Sequence, residues 1–298
     1  MTDIAVIIVN WNAQKDLRVC LQSLYADPKP KSNYEVWVVD NASTDGSAEM
    51  VRSEFPDVKL IANTENVGFS KANNQAIAAS QSRYVFLLNS DAFAHEGAID
   101  TLVSYADAHP QAGIIGPRVL NADGTLQFSC RRFPSLMAGF FRNTFLGKIA
   151  PQNKYAAEYL MWDISHDRDQ SVDWISGCAM MIRRTLIDRI GALDERFYMY
   201  CEDVDICRRT WEDGFEVVYA PQAVVTHIIG RSSDNNAEKM IVEFHRSWYE
   251  YDLKHHPDGG PVRRSVVYSG LWLRGAVRIA RRRSNEKRYQ KNHRESGS

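Results

Sequence analysis

The eight residues YVFLLNSD, residues 84–91, decide the fold. Val85, Phe86, Leu87 and Leu88 form an unbroken apolar run, the pattern of a strand buried on both faces of a mainly parallel sheet. The run stops abruptly at Asn89, Ser90 and Asp91. Open α/β sheets bind ligands at the carboxyl ends of their strands, and Asp91 falls at such an end. A carboxylate there can hold a divalent cation against a diphosphate, or it can cap a following helix. The stretch alone leaves both open.

Upstream, the same grammar repeats. Residues 4–9 are apolar and β-branched and end in Asn10, Trp11 and Asn12. Leu17, Cys20, Leu21 and Leu24 then recur at helical spacing, and Pro28 and Pro30 stop the helix. Residues 35–39 read as a second strand, ending in Asp40, Asn41, Ala42 and Ser43. Ser47 is the expected N-cap of a helix reaching about Phe55. Residues 58–62 read as an edge strand. A turn at Asn66–Val67–Gly68–Phe69 and a helix over 70–79 lead into YVFLLNSD. Strands alternating with helices at this spacing predict a doubly wound α/β domain. The polar strand ends Asn10, Asp40 and Asp91 converge on one ligand crevice. Neither GxGxxG nor GxxxxGK[ST] is present, so no glycine-rich loop cradles phosphate. A metal on acidic side chains is the alternative way to neutralise a diphosphate.

Downstream, a helix is expected over 98–109, a short strand over 113–117, and a hairpin turn at Asn121–Gly124 before 126–128. Residues 134–170 lose periodicity and mix Phe140, Phe141, Phe145, Tyr155, Tyr159 and Trp162 with charges. Such a stretch is a lid or binding segment, or a locally packed helical pair. Residues 172–182 read as a strand or strand pair, with Gly177 permitting close approach. A short helix follows Thr185 and closes at Gly191. Glu202, Asp203 and Asp205 begin another helix directly after an aromatic run. Acids suit a first turn. A partly desolvated carboxylate also suits general-base work. Short strands at 217–219 and 224–225 precede His227, a further metal-ligand candidate. A helix over 238–255 carries Ile241, Phe244, Trp248 and Tyr251 on one side.

The 298 residues suffice for a full core, and 44% hydrophobic with 24% charged content is that of a globular protein. The net charge of −1 hides an asymmetry. Residues 261–298 carry 11 Lys+Arg and 2 Asp+Glu, or +9, and the remainder 25 and 35, or −10. Residues 262–280 interleave Val266, Val267, Leu271, Trp272, Leu273, Val277 and Ile279 with Arg263, Arg264, Arg274 and Arg278. That pattern predicts an interfacial helix on an anionic membrane, reinforced by Arg281–Arg283. A core-packed terminal helix is the plainer alternative. The acidic body and lack of a recognition module argue against nucleic acid. Five widely spaced cysteines without CxxC suit reduced thiols in a cytoplasmic protein. No signal peptide or membrane-spanning run is evident.

Together VIIVNWN, VVDNASTDGS, NVGFSKANN, LLNSDA, WISGCAMMIRR and DERFYMYCEDVDICRR resemble the inverting glycosyltransferase family 2, in its rhamnosyltransferase-like branch. The likeness covers roughly residues 3–250. It implies a GT-A fold, with a nucleotide-binding half over about 1–117 and an acceptor half over about 118–260; the basic amphipathic tail over 261–298 lies beyond the likeness. It implies that Asn10, Asn12, Asp40, Asn41 and Ser43 surround the nucleoside. Gly68, Phe69 and Asn73 would line the nucleotide-sugar pocket. NSD occupies the family's DxD position without the first Asp, leaving Asp91 as the acidic metal ligand and Asn89 as a weaker contact. His227 matches a position that assists at the metal or diphosphate. Asp203 matches the catalytic base, with Glu202 beside it. Trp174, Ser176 and Gly177 fall in the acceptor wall. The resemblance further implies a nucleotide-sugar donor, best read as dTDP-L-rhamnose, Mg²⁺ or Mn²⁺, and a glycan or lipid-linked acceptor at the inner membrane face. A non-catalytic nucleotide-sugar-binding protein is the rival reading. A nucleotidyltransferase would normally carry a glycine-rich phosphate loop, which is absent.

Overall fold

The computed structural model describes residues 2–26, 28–134, 154–162, 164–228 and 237–295. They divide into two compact units. The first comprises Met1–Glu195 and Glu202–Ser232; the second comprises Arg196–Cys201 and Ser233–Ser298.

The first unit begins as the apolar runs dictate. Strands β1 (Ile4–Asn10), β2 (Tyr34–Asp40), β3 (Lys59–Ala62) and β4 (Tyr84–Leu88) are parallel, in the order β3-β2-β1-β4. Helices α1 (Gln14–Tyr25), α2 (Ser47–Glu54) and α3 (Phe69–Ala79) connect them. Leu17, Cys20, Leu21 and Leu24 of α1 are all buried, so the helical spacing marked the packed face. Every residue of β4 is buried, as its unbroken apolar run requires.

The expected N-cap of α2 is displaced. Gly46, with φ of 84°, caps the helix, and Ser47 is its first residue. The Asp45 carboxylate accepts the Ser47 N–H at 3.1 Å and its hydroxyl at 2.5 Å. The left-handed turn selects glycine, and the acid just before it serves the free N–H.

Asp91 caps no helix, because the next element is a strand, β5 (Ala92–Ala94). After α4 (Ala98–Ala108), the expected short strand becomes the nine-residue β6 (Ala112–Leu120). The expected turn joins it to β7 (Leu126–Gln127) as an antiparallel hairpin. Strand β8 (Cys130–Arg131) and helix α5 (Lys154–Leu160) follow. Most of the aperiodic segment, 135–153, lies outside the described residues, including Phe140, Phe141 and Phe145.

The chain then forms β9 (Gln170–Ser171), β10 (Trp174–Ile175) and β11 (Ala179–Arg183). Residues 172–182 are thus a strand pair divided between sheets: β10 joins β8, whereas β11 enters the main sheet antiparallel to β4 and β6. Helices α6 (Arg184–Ile190) and α7 (Glu202–Glu212) precede β12 (Glu216–His227). The two short strands expected near 217 and 224 are one twelve-residue strand, with its register shifted between Ala220 and Val224. Pro221 breaks the sequence signal there. Pro117 of β6 stands at the same irregularity, opposite Ala220, where a missing N–H is tolerated. The main sheet runs β3-β2-β1-β4-β11-β6-β12-β5, mostly parallel, with β11 and β5 reversed.

In the second unit α8 (Ala237–His255) and α9 (Gly260–Glu295) are joined by a short 3₁₀ turn. α8 buries His245, Ser247, Tyr251 and Asp252. Phe244, Trp248 and Tyr251 form the expected aromatic run, with ring centroids 6.1 and 5.7 Å apart. Asp252 pairs with Arg263, and Glu238 with Arg283 at 2.7 Å. Val262, Val266, Leu273 and Val277 of α9 are 76, 65, 69 and 40% exposed. Their spacing places them on one helix face. Among the described residues, no helix is long and apolar enough to cross a membrane. All five cysteines are buried, and none forms a disulfide.

Candidate active site

The strand ends of β1 and β2 carry a closed polar network. Asn10 and Asp40 are register partners, both buried, and the Asn10 amide donates to Asp40 Oδ1 and Ser43 Oγ, each at 3.1 Å. Ser43 N–H donates to Asp40 Oδ2 at 3.0 Å, and Asn12 N–H to Ser43 Oγ at 2.9 Å. Asn12 Oδ1 accepts the Thr44 N–H at 2.7 Å. Asn12 and Ala42 both take positive φ, 52° and 63°, which folds the loops back over the strand ends. Asn10 Oδ1 is buried without a protein partner, a polar atom available to a ligand. Asn41 extends the network: its Nδ2 donates to Asn66 Oδ1 and the Gly68 carbonyl, both at 3.1 Å. Gly68, at φ 90°, opens α3. Asn73 is turned inward, donating to the Phe69 carbonyl in its own helix at 2.9 Å.

A second group sits where β4 and β12 end. Asp91 is 5% exposed, and its Oδ1 lies 3.2 Å from His227 Nε2. Asn89 Nδ2 lies 3.3 Å from the same nitrogen. His227 pairs in register with Ala92, and the Asp91 carbonyl accepts the Ile228 N–H at 2.9 Å. Gln127 Oε1 is 2.8 Å from His227 Nδ1. Sequence reasoning passed over Gln127, since only the β6–β7 pairing brings it here. One carboxylate and one imidazole are a donor set that suits Mg²⁺ or Mn²⁺ when phosphate oxygens and water complete the shell. Among the described residues, no cluster of three or more His, Cys, Asp or Glu side chains is arranged to hold a metal.

The third group is the carboxylate pair at the start of α7. Asp203 Oδ2 accepts the Gly177 N–H at 3.0 Å, and Oδ1 accepts the Val204 N–H at 2.8 Å. Burial raises the Asp203 carboxyl above its ordinary value, opposed by those two N–H groups and by Arg131. Glu202 is pushed well above the ordinary range by burial and by the charges of Asp203 and Asp205, and its Oε2 has no partner. Asp205 belongs to a different role, pairing with Arg209 at 2.8 Å inside the helix.

Gly177 and Cys178 connect the second and third groups. Gly177 binds Asp203, while the Cys178 carbonyl accepts the Asn89 N–H at 2.9 Å. Burial, with a smaller push from the nearby charges of Asp203 and Asp91, raises the Cys178 thiol to about 11 against the opposing Ser176 and Arg131. The close approach expected at Gly177 is thus made by Asp203, whose Cβ would lie 3.4 Å from a Cβ at residue 177. Trp174 is buried, donates its indole N–H to the Arg132 carbonyl at 2.9 Å, and lies 5.4 Å from the Arg131 guanidinium. Ser176 N–H bonds the Ser129 carbonyl at 2.8 Å. Arg131 also escaped the sequence reading, because its two-residue strand has no periodic signal.

The chain has relatives among known proteins. Residues 5–191 match the family model for glycosyl transferase family 2. The chain is 30% identical to an N-acetylglucosaminyl-diphospho-decaprenol L-rhamnosyltransferase of Mycobacterium tuberculosis, over 95% of this chain and 97% of that protein. It is 25% identical to the rhamnosyltransferase WbbL of Escherichia coli K12, over 74% and 82%. Among solved structures it resembles the mannosyltransferase PcManGT of Pyrobaculum calidifontis, determined with GDP-Man and Mn²⁺, at a TM-score of 0.55 and 18% identity, covering 93% and 75% of the two chains. The fold is GT-A, and the chain belongs to glycosyl transferase family 2.

Proposed function

We propose that the protein transfers a sugar, with inversion, from a nucleotide donor to a lipid-linked saccharide acceptor. L-Rhamnose is the best-supported sugar, because a relative aligned over nearly the whole of both chains is named an L-rhamnosyltransferase, and dTDP is the carrier nucleotide that the family resemblance implies. The name of that relative also specifies an acceptor built on diphospho-decaprenol. The nucleotide-binding half is about 1–117 and the acceptor half about 118–260.

The observation that carries the mechanism is the Gly177–Cys178 segment. It holds Asp203 on one side and Asn89, next to Asp91, on the other. Asp203 takes the proton from the attacking acceptor hydroxyl. Its raised affinity for protons suits that role, and Glu202 beside it keeps the pair from both ionising easily. Asn10, Asn12, Asp40, Asn41 and Ser43 hold the nucleoside, with Gly68 and Phe69 at the edge of the pocket and Asn73 supporting it from within α3. Trp174, Ser176 and Gly177 wall the acceptor side. Asp91 and His227, with Asn89 beside them, would hold the divalent cation, which when bound supplies charge neutralisation at the departing diphosphate. A single displacement needs no covalent enzyme intermediate, so one base suffices at the sugar.

The outward apolar face of α9 and its arginines favour peripheral contact with the anionic inner face of the cell membrane, where a lipid-linked acceptor lies. A panel of nucleotide sugars tests the proposal, scored by product release with and without chelator. Product is expected from dTDP-L-rhamnose and a polyprenyl-diphosphate saccharide, and its loss with EDTA. Donor binding without product from any acceptor would instead mark a non-catalytic binder.

A further inference from the structure

The hairpin between β6 and β7 has a second use beside turning the chain. Its hydrogen bonds reach His227 and fix a proton on Nδ1. We propose that Gln127 is a positioning residue that keeps a proton on His227 Nδ1 and so turns Nε2 toward Asp91 and Asn89. The purpose assigned to Nε2 rests on the cation site proposed above; the Nδ1 proton itself is a property of the chain alone.

Donors and acceptors match in sequence along the hairpin, starting at the turn. Asn121 Nδ2 donates to Thr125 Oγ1 at 3.0 Å, so Asn121 Oδ1 faces the other way, as an acceptor. Gln127 Nε2 donates to that Oδ1 at 2.9 Å and to the His227 carbonyl at 3.1 Å. Both neighbours can only accept, so this end of the Gln127 amide is the nitrogen. A flipped amide would set an oxygen against two oxygens. Gln127 Oε1 is therefore the atom 2.8 Å from His227 Nδ1, and since an amide oxygen only accepts, Nδ1 carries the proton. Nε2 then faces Asp91 Oδ1 at 3.2 Å and Asn89 Nδ2 at 3.3 Å, the side on which a cation would bind. The opposite tautomer would bring the Nδ1 lone pair against Gln127 Oε1. Metal-binding histidines are commonly oriented by such an outer partner. Here the partner is itself held by a turn that the main-chain pair Asn121 N–H to Thr125 carbonyl, 2.8 Å, closes.

Long-range proton–nitrogen correlation spectra of metal-free protein carrying ring-labelled histidine read the tautomer directly, with His227 assigned by its loss in His227→Asn. Wild type is expected to carry its proton at Nδ1. Gln127→Leu should shift toward the Nε2–H form. A wild type in the Nε2–H form, or a Leu variant with an unchanged spectrum, overturns the assignment. Mn²⁺ titration followed by paramagnetic resonance gives the second readout. Gln127→Leu should weaken binding roughly 10- to 100-fold. Equal affinities in wild type and the Leu variant overturn the positioning role. Undetectable Mn²⁺ binding by wild type removes the cation assignment, and the spectra then decide the tautomer by themselves.

Discussion

Asp203 is under two opposing influences. Burial favours its protonated form, while the Gly177 and Val204 N–H groups and Arg131 favour the ion; burial wins. A base with a raised pKa loses its function as pH falls through that value. The acidic limb of kcat/KM should therefore lie above the ordinary aspartate range, and Asp203→Asn should abolish the limb while cutting turnover by about 10²- to 10⁴-fold. Donor binding, measured calorimetrically, should be unaffected; a fully active Asn variant would reject the assignment. Glu202 makes the complementary prediction for stability. Its carboxyl is raised in the folded state, so its contribution is complete below the unfolded glutamate value and is lost as pH rises through the folded one. Glu202→Gln should gain stability relative to wild type across that rise, seen as diverging melting temperatures; parallel curves would contradict it. The sequence placed both acids at a helix start after an aromatic run. Gly177 signalled a close approach, but nothing in the sequence named its partner Asp203, 26 residues away in the chain.

At the scale of elements, the parallel half of the sheet was legible because β1, β2 and β4 are short apolar runs with polar ends, and burial on both faces permits little else. The β6–β12 pair was not. Pro117 and Pro221 each read as a break, yet both fall at one irregularity of a long parallel pair, where a missing N–H costs little. The same pair imposes a tight constraint beside the acceptor side. A Cβ on Gly116 would lie 2.5 Å from Ile175 Cγ2, and Ile175 is wholly buried. Gly116→Ala should thus destabilise the protein by about 1–3 kcal/mol, as for other overpacked sites, measured by denaturant unfolding. A loss within error would mean that the β8–β10 ribbon yields freely.

At the scale of the whole molecule, charge and apolar exposure concentrate in α9. Residues 261–298 hold 11 Lys+Arg, and Val266 and Leu273 are 65 and 69% exposed. Val266→Glu with Leu273→Glu should abolish co-sedimentation with vesicles containing anionic lipid and leave activity on a water-soluble acceptor analogue unchanged. Vesicle binding that survives the pair of substitutions would refute the membrane role.

What the amino-acid order determined by itself was local. It set the apolar runs that become strands, the buried face of α1, the polar strand ends, and the ordered motifs of glycosyl transferase family 2. Tertiary structure alone decided how distant segments meet. It inserted β11 antiparallel between β4 and β6, which carries Gly177 and Cys178 in between Asp203 and Asn89. It also ran β12 beside β6, which sets Gln127 against His227, 100 residues apart in the chain. Periodicity reports which face of an element is buried. Which element covers that face is selected by hydrogen-bond pairing and packing across the whole sheet, and no window of sequence contains it.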